Sequence, residues 1–444
     1  MHGSWFWTET DAPVLWSGLE KISKLCAGAV TIWLVATRFT PEVQGYFFTF
    51  FSLLALQVFV DLGVAGVVVP FASHEWAGLG LDERRRIVGD PQALSRLVSF
   101  GRMVFGWFLA AGAISAAGLG VFGYFFFSAH AESVVAWQTP WLMFCVIGGL
   151  NLCLSPVWTL LEGCNQVSAA YFARFLSSVL GSVLLWWAIL SGAGLFSAAI
   201  PYAVSILAGL GLAVGRYPAF FRAFCAPPAG RRMSWSDEVW PMQWRIGLSW
   251  LSGYFINWFF TPVLFHFHGA AVAGRFGMTW TAGMAIFGIA SSWLNTRAPQ
   301  FGVLIAQRDF SALDHRFFRA AGMSLWAVLS GSALFAVLIY VLGAARHPLA
   351  DRLLSLRPTV LMLLAIILTT VSYAQAVYLR CHKQEPAFWL SILQGIFTGL
   401  STWVLGSRYG PTGVAAGYLA VVALLVIPAG TIVWLNKRRV WHTL

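Results

Sequence analysis

The chain has 444 residues, of which 59% are hydrophobic and only 10% are charged, and its formal net charge is +11. A soluble domain carries about 25% charged residues, so this composition excludes a protein built from water-soluble domains. The length suits about twelve membrane-spanning helices, because one span needs about 20 apolar residues.

Hydropathy along the chain predicts two groups of six spans. In the first half, apolar runs cover residues 14–37, 45–70, 101–128, 140–160, 171–191 and 195–215. In the second half, they cover residues 244–266, 276–296, 320–343, 359–379, 387–406 and 411–435. We expect an all-α membrane protein with an N-terminal six-helix lobe at 1–215, a basic cytoplasmic linker at 216–243 and a C-terminal six-helix lobe at 244–444.

The distribution of Lys and Arg between the links predicts the orientation of these spans. If the N-terminus is cytoplasmic, the inner side receives 22 of the 28 Lys and Arg residues, and the outer side receives Arg38, Arg275, Arg346, Arg352, Arg357 and Arg408. Basic residues concentrate in cytoplasmic loops, so we expect both termini inside. This asymmetry and attraction to anionic headgroups account for the net charge, and nucleic acid is not expected as a partner.

Short sequence matches in the same order indicate an internal repeat. Val43-Gln44-Gly45-Tyr46-Phe47 aligns with Val272-Ala273-Gly274-Arg275-Phe276, and Pro70 then falls on Pro299. Gly194-Leu195 aligns with Gly413-Val414 near the start of the last span of each half. Because each half has an even number of spans, the repeat is predicted to be parallel, with its axis along the membrane normal.

The first hairpin carries a resemblance to a known family. Ala36-Thr37-Arg38-Phe39-Thr40-Pro41-Glu42-Val43-Gln44-Gly45-Tyr46-Phe47, followed by Asp61-Leu62-Gly63, resembles this region of polysaccharide (O-antigen) flippases of the multidrug/oligosaccharidyl-lipid/polysaccharide (MOP) exporter superfamily. The chain departs from the family pattern at Phe39-Thr40, where Leu-Gly is common, and at Asn257, where many members carry an acid.

The resemblance implies a MATE-like fold of two six-helix lobes around a central cavity, working by alternating access. The implied activity is flipping an isoprenoid-pyrophosphate-linked oligosaccharide from the cytoplasmic to the outer leaflet of the bacterial inner membrane. This step serves the biosynthesis of O-antigen lipopolysaccharide, capsule or exopolysaccharide. The implied partners are the lipid-linked glycan, membrane lipids and polysaccharide assembly proteins. We separately expect no cofactor and no catalytic residue.

Four charged residues fall inside the first two predicted spans, namely Glu20, Lys21, Lys24 and Asp61, and three of them, Glu20, Lys24 and Asp61, are candidates for a functional site. A charge at the bilayer centre costs about 2.5–3.5 kcal/mol on insertion scales. At a rise of about 1.5 Å per residue, Lys24 and Asp61 lie at similar depth, so we expect them to pair, with Glu20 one turn below Lys24. The hypothesis is a cluster for ion coupling or headgroup binding. The alternative is that Lys24 snorkels to the inner interface and a local partner holds Asp61.

Five further residues are candidates for binding the substrate headgroup. Arg174, Arg245 and Arg297 begin or end spans at the inner boundary. They suit either bidentate phosphate binding or simple topological anchoring. Asn257 and Gln394 are uncharged polar residues within spans, which suit either sugar recognition or hydrogen bonds between helices.

Three other classes of protein stay open as alternatives. A multidrug exporter of the same superfamily would want acids in its cavity, whereas here bases outnumber acids near the membrane. A membrane-embedded glycan polymerase or transferase would want catalytic groups at one face, yet Asp351 is the only acid of the longest outer link, 344–358. A non-transporting scaffold for envelope assembly is the third. His266 and His268 lie on different helix faces, so we expect no metal site, and we predict a transporter and not an enzyme.

Overall fold

The computed structural model of the protein describes residues 12–129, 135–382 and 388–442. In chain order, the helices and strands of the N-terminal part are α1 (Ala12–Arg38), α2 (Pro41–Leu54), α3 (Val58–Asp61), α4 (Val64–Trp76), β1 (Leu79–Leu81), β2 (Ile87–Gly89), α5 (Pro91–Ser128), α6 (Gln138–Cys153), α7 (Ser155–Gly163), α8 (Val167–Leu190), α9 (Ile200–Leu210) and α10 (Pro218–Ala223). The later helices are α11 (Trp240–Asn257), α12 (Phe260–His268), α13 (Ala270–Asn295), α14 (Ala298–Ala306), α15 (Phe310–Ala344), α16 (Leu356–Cys381), α17 (Phe388–Val421) and α18 (Ile427–His442). Short 3₁₀ or π turns fill Ala55–Gln57, Gly194–Ala199, Gly211–Arg216, Trp235–Val239, Pro348–Arg352 and Val422–Val426.

Eight segments within the described residues are long and apolar enough to cross a membrane. The last of them, Phe388–Trp441, contains two passes, because the chain reverses direction at Gly410, which has a φ of 59°. The reversal brings Gly417 next to Ser401. Together with α1, α11–α12 and α13–α14, these segments give twelve helical passes over the described ranges. The predicted all-α membrane architecture is confirmed.

The chain divides into two compact units. The first unit comprises Met1–Arg38 and Leu53–Leu251, and the second comprises Phe39–Ser52 and Ser252–Leu444. The chain therefore leaves the first unit at Phe39, returns to it at Leu53 and leaves it again at Ser252.

The core of the first unit includes part of the segment after the sixth pass. Phe100 and Phe108 of α5 and Leu160 of α7 are fully buried there. Phe220 of α10 and Val239 are fully buried in the same cluster. Residues 216–243, which the sequence suggests as a linker, are thus anchored on the first unit through apolar burial.

A short β-hairpin, which the sequence analysis did not anticipate, follows α4 in the first unit. Strands β1 and β2 pair antiparallel, with Leu79 opposite Gly89 and Leu81 opposite Ile87. Arg85 occupies the left-handed region in the turn, with a φ of 57°. The guanidinium of Arg85 donates a hydrogen bond of 2.5 Å to the carbonyl oxygen of Arg216. The hairpin therefore contacts the end of the sixth pass.

One arginine ties three elements of this basic region together. Arg96, near the start of α5, donates a 3.0 Å hydrogen bond to Glu75 of α4 and a 2.6 Å hydrogen bond to Glu238. Glu238 lies outside the membrane-spanning segments and also accepts a hydrogen bond from the backbone N–H of Ser234. The hydrogen bond from Arg96, and then that from Ser234, lower the pKa of Glu238 below its ordinary value of 4.5.

We expect this bridge to make stability depend on pH. A lowered folded-state pKa stabilises the fold fully above the ordinary pKa, and this contribution disappears as the pH falls below 4.5 through the folded value. Glu238→Gln should lower the melting temperature at pH 7 and flatten its decline below pH 4.5. Asp237→Asn is the matched control, because the Asp237 side chain bonds only to nearby serines within the described residues. Equal melting curves for both variants across the pH range would contradict the bridge.

The second unit contains both segments of one match of the internal repeat, residues 43–47 and residues 272–276. A Cβ on Gly274 of α13 would lie only 2.7 Å from the backbone nitrogen of Gly45 on α2. Gln44 Nε2 donates to the carbonyl oxygens of Gly274 and Arg352, at 2.9 and 3.0 Å. The two segments that align in sequence therefore pack directly against each other, which requires glycine at both positions.

Candidate functional site

The first two charged candidates form an ion pair along one helix. Lys24 Nζ lies 2.6 Å from Glu20 Oε1, and the two residues are four positions apart on α1. This spacing places side chains on one helix face. The Glu20 side chain is 10% exposed and that of Lys24 is 62% exposed. The acid is therefore held inside the unit, and the lysine stem covers it from the outside.

A second ion pair forms across the turn between α7 and α8. Arg174 Nη1 donates to Glu162 Oε2 at 3.1 Å, and the hydroxyl of Tyr171 donates to Glu162 Oε1 at 3.2 Å. Tyr171 and Arg174 are one helical turn apart on α8, so both can reach back to the end of α7. The guanidinium of Arg174 also lies 5.6 Å from the ring centre of Trp158 and 5.3 Å from that of Tyr171.

Helix packing brings the two pairs into one region of the first unit. The ring of Trp16 on α1 meets those of Phe172 and Phe175 on α8, at centroid distances of 4.8 and 5.7 Å. Because α1 packs against α8, Glu20 of α1 and Tyr171 of α8 belong to neighbouring helices.

We call Glu20, Lys24, Glu162, Tyr171 and Arg174 the charged cluster. It holds two acids and two bases, so it is close to neutral when all four are ionised. Lys24 or Arg174 can bind an external anion if its ion pair with Glu20 or Glu162, respectively, is broken.

The expected pairing of Lys24 with Asp61 is wrong. Lys24 is paired with Glu20, and Asp61 forms no ion pair within the described residues. Asp61 is 7% exposed, and its Oδ1 accepts a 3.1 Å hydrogen bond from the backbone N–H of Ala65. The physical reason is that α1 packs against α8, and the acid four residues away reaches Lys24 without joining two helices.

Asp61 instead marks a break in the second pass, which the sequence predicts as one continuous span. Leu62 and Gly63 both adopt left-handed backbone conformations, with φ of 49° and 78°. A Cβ on Gly63 would overlap the backbone of Gly247 on α11, and a Cβ on Gly247 would lie 2.6 Å from the carbonyl oxygen of Leu62. Asp61 caps the first turn after the break, so Asp-Leu-Gly forms the junction between α3 and α4.

The other two inner arginines are less enclosed. Arg245 on α11 is exposed, with its guanidinium 5.4 Å from the ring centre of Trp244. Arg297 is half-buried immediately before α14, and its backbone N–H bonds to the carbonyl oxygen of Leu294. Only Arg174 of the three enters an ion pair within the described residues. A headgroup-collecting role for Arg245 and Arg297 stays a prediction.

The uncharged candidates lie in the second unit. Asn257 Nδ2 donates to the carbonyl oxygen of Gly253 at 2.9 Å, one turn back on α11. Gln394 is half-buried on α17. The hydrogen bond of Asn257 is local to its own helix. A role in sugar recognition for Asn257 or Gln394 stays a prediction.

Glu162 and Tyr171 are the members of the cluster that the sequence analysis did not select. The available signal was the position of Glu162 next to Gly163, at the end of a span and twelve residues before Arg174. A turn at this point folds α8 back along α7, where Asn165 takes a φ of 59°. An acid and a base that flank such a turn are candidates for pairing.

Potential metal ligands are scattered among the described residues. These residues contain no group of three or more His, Cys, Asp or Glu side chains that could hold a metal ion. His268 Nε2 lies 2.8 Å from the carbonyl oxygen of Gly406, and the ring of His266 stacks on Trp403. The two histidines therefore have separate structural partners.

Comparison with known proteins identifies the fold. No family model matches the sequence, and no curated protein is significantly similar to it. The structure is similar to the outward-facing conformation of a MATE-family multidrug resistance transporter of the MOP superfamily, with a TM-score of 0.60, 14% identity and coverage of 97% of this chain and 96% of that chain. It is similar to the lipid II flippase MurJ in an inward closed conformation, with a TM-score of 0.61, 12% identity and coverage of 97% and 90%.

A third similar structure is a MOP superfamily transporter from Pyrococcus furiosus, described by a reversed polarity of its binding pocket. Its TM-score is 0.57, with 12% identity and coverage of 97% of this chain and 95% of that chain. At these identities the likeness concerns the fold alone. The expected MATE-like fold is confirmed, and the neighbours include both multidrug transporters and a flippase.

Proposed function

We propose that this chain, which has the fold of the MOP superfamily transporters, is a bacterial inner-membrane flippase for an isoprenoid-pyrophosphate-linked oligosaccharide. It moves this lipid from the cytoplasmic to the outer leaflet by alternating access, for assembly of a polysaccharide such as O-antigen, capsule or exopolysaccharide. The likeness to MATE transporters and to MurJ supports the transporter class equally for drugs and for lipid-linked substrates. The choice between them rests on charge.

The observation that carries the proposal is the state of three glutamates in the first unit. Glu20 is bound to Lys24, Glu162 to Arg174 and Tyr171, and Glu75 to Arg96. The exposed Arg245, in contrast, lacks an acidic partner within the described residues. Carboxylates that are already neutralised do not attract a cation, whereas unpaired guanidinium groups attract phosphate. The unit therefore favours an anionic headgroup.

The charged cluster suggests how binding is coupled to transport. Pyrophosphate and Glu162 compete for the same donor, Arg174, since a guanidinium binds either oxyanion in the same bidentate way. Substrate binding would break the pair with Glu162 and leave this acid to be neutralised by an ion. The pair of Glu20 and Lys24, whose lysine side chain is 62% exposed, offers a second site for the same exchange.

One observation favours a second candidate function, a multidrug exporter. Asp61 is buried and has no cationic partner within the described residues, so it could hold a cation. A membrane-embedded polymerase or transferase is less well supported. The outer link after α15 is short and contains the 3₁₀ turn Pro348–Arg352, with Asp351 as its acid.

The proposed direction of transport requires both termini to be cytoplasmic. Gly192→Cys and Pro348→Cys should react with an impermeant thiol reagent added to intact cells, because both positions lie in predicted outer links. Arg86→Cys, Arg231→Cys and His315→Cys should react only after the membrane is permeabilised. All five variants need a background without the native cysteines. The reverse labelling pattern would contradict the orientation.

Ligand-induced thermal stabilisation tests the charge preference of the substrate site. The melting temperature of the purified protein in detergent should rise when a short-chain isoprenyl-pyrophosphoryl sugar is added, because a ligand that binds the folded state stabilises it. Isoprenol without phosphate and the cationic dye ethidium should have little effect. Stabilisation by ethidium alone, abolished by Asp61→Asn, would replace the proposal with the multidrug exporter.

A further inference from the structure

A cavity of about 290 Å³ opens in the first unit where the starts of α1 and α8 meet the end of the sixth pass. It is lined by Trp16, Asn165, Gln166, Ser168, Ala169, Phe172, Arg216 and Tyr217. Its volume is close to the lower end of the about 300–1,000 Å³ typical of small-molecule pockets. The distribution of basic residues predicts that this end of the unit faces the cytoplasm.

The polar lining of the cavity suits a phosphate group. Arg216 is its charged residue, and none of the described lining residues is acidic. The guanidinium groups of Arg216 and Arg85 lie 5.9 and 5.2 Å from the ring centre of Tyr217, which concentrates positive charge at one wall. Gln166 forms no side-chain cap on α8, so the first N–H groups of this helix add to the positive potential.

The rest of the lining and its surroundings suit an acyl chain. Trp16 and Phe172 meet edge to face in the cavity wall, with ring centres 4.8 Å apart. Phe172 of the lining is 42% exposed, and on the sixth pass shortly before Arg216, Leu210 is 42% exposed and Val214 is 72% exposed. Exposed apolar side chains next to tryptophan are typical of a surface that faces lipid at the membrane interface.

We propose that this cavity binds the headgroup of an anionic phospholipid of the cytoplasmic leaflet. Arg216 holds the phosphate, the polar groups of Asn165 and Ser168 hold the headgroup hydroxyls, and the acyl chains lie along Phe172 and its apolar neighbours. Basic pockets between membrane helices on the cytoplasmic side bind anionic headgroups in this way. The bound lipid is a resident ligand and not the cargo, so this inference stands apart from the transport function.

Binding is measured by thermal unfolding of the full-length protein in detergent with increasing dioleoylphosphatidylglycerol or dioleoylphosphatidylcholine. The anionic lipid should raise the melting temperature of the unmodified protein, and the zwitterionic lipid should do so far less. Arg216→Gln should raise the apparent dissociation constant for phosphatidylglycerol about fivefold, the effect of one arginine near an anionic surface. Ala169→Leu, which fills the cavity and keeps every charge, should weaken the same response. Arg408→Gln, at an exposed arginine outside the cavity lining, is the matched control and should leave it unchanged.

Three results would overturn this assignment. Equal stabilisation by both phospholipids would show that negative charge is not recognised. An unchanged response in Ala169→Leu would place the lipid elsewhere, and this variant decides the question if Arg216→Gln does not fold. A response to an isoprenyl-pyrophosphoryl sugar that needs Arg216, with none to phosphatidylglycerol, would make the cavity a substrate site. Loss of flipping activity with an intact phosphatidylglycerol response would refute the transport proposal and leave this site standing.

Discussion

Gly45→Ala will strongly reduce the amount of folded protein in the membrane. The new Cβ would overlap the carbonyl oxygen of Ala270, which is backbone and cannot rotate away. Overpacking costs about 1–3 kcal/mol in ordinary cores, and we expect the upper end of this range because two helices must separate. The hydrogen bonds from Gln44 to Gly274 and Arg352 would be strained at the same time.

The measurement is the melting temperature and the monodisperse yield of a fluorescent fusion in detergent. Gly288→Ala on α13 is the matched control, because a Cβ there meets nothing within 4 Å. It should be neutral or stabilise by less than about 1 kcal/mol through helix propensity. Equal yields from both variants would contradict the close packing of α2 on α13.

Arg174→Gln will lower transport about tenfold or more. The change removes a charge-assisted hydrogen bond, which contributes about 1.5–3 kcal/mol, and leaves Glu162 with only the Tyr171 hydroxyl among the contacts described. Arg174→Lys should recover part of the activity, because it restores charge without the bidentate geometry. Arg408→Gln, an exposed arginine on the predicted outer side, is the control and should transport normally.

A double-mutant cycle separates the structural part of this effect from the functional part. Glu162→Gln with Arg174→Gln should recover membrane abundance relative to either single variant, since no charge is then left alone. Transport should stay low, because the donor for the substrate phosphate is still missing. If the effects of the two single variants on membrane abundance simply add, with a coupling free energy below about 0.5 kcal/mol, the two side chains do not interact.

The architecture of the chain follows from its hydropathy, because a bilayer demands continuous apolar helices and leaves few alternatives. The pairing of charges does not follow in the same way. Counting residues along a helix gives the depth of Lys24 and Asp61 but not the direction in which their side chains point. That direction depends on which helices are neighbours, and the contact of α1 with α8 is decided by the surrounding side chains.

The motif Asp61-Leu62-Gly63 shows a related limit. The sequence placed these residues correctly in the second pass and suggested a charged function for the acid. It did not reveal that two successive residues adopt left-handed conformations against Gly247. The interruption of the helix between α3 and α4, and the hydrogen bond by which Asp61 caps the next turn, are consequences of that close approach. Glu162 was overlooked because the turn that brings it to Arg174 has no strong local signal beyond Gly163.

The most direct test of the central claim is flipping of the lipid-linked oligosaccharide in liposomes. The purified protein is reconstituted with a fluorescent isoprenyl-pyrophosphoryl oligosaccharide, and an impermeant reagent or lectin reports how much has moved between leaflets. We predict rapid exchange that depends on the protein, is lost in Arg174→Gln and is retained in Arg408→Gln. No movement of this lipid above protein-free liposomes, with efflux of ethidium from the same liposomes, would contradict the account.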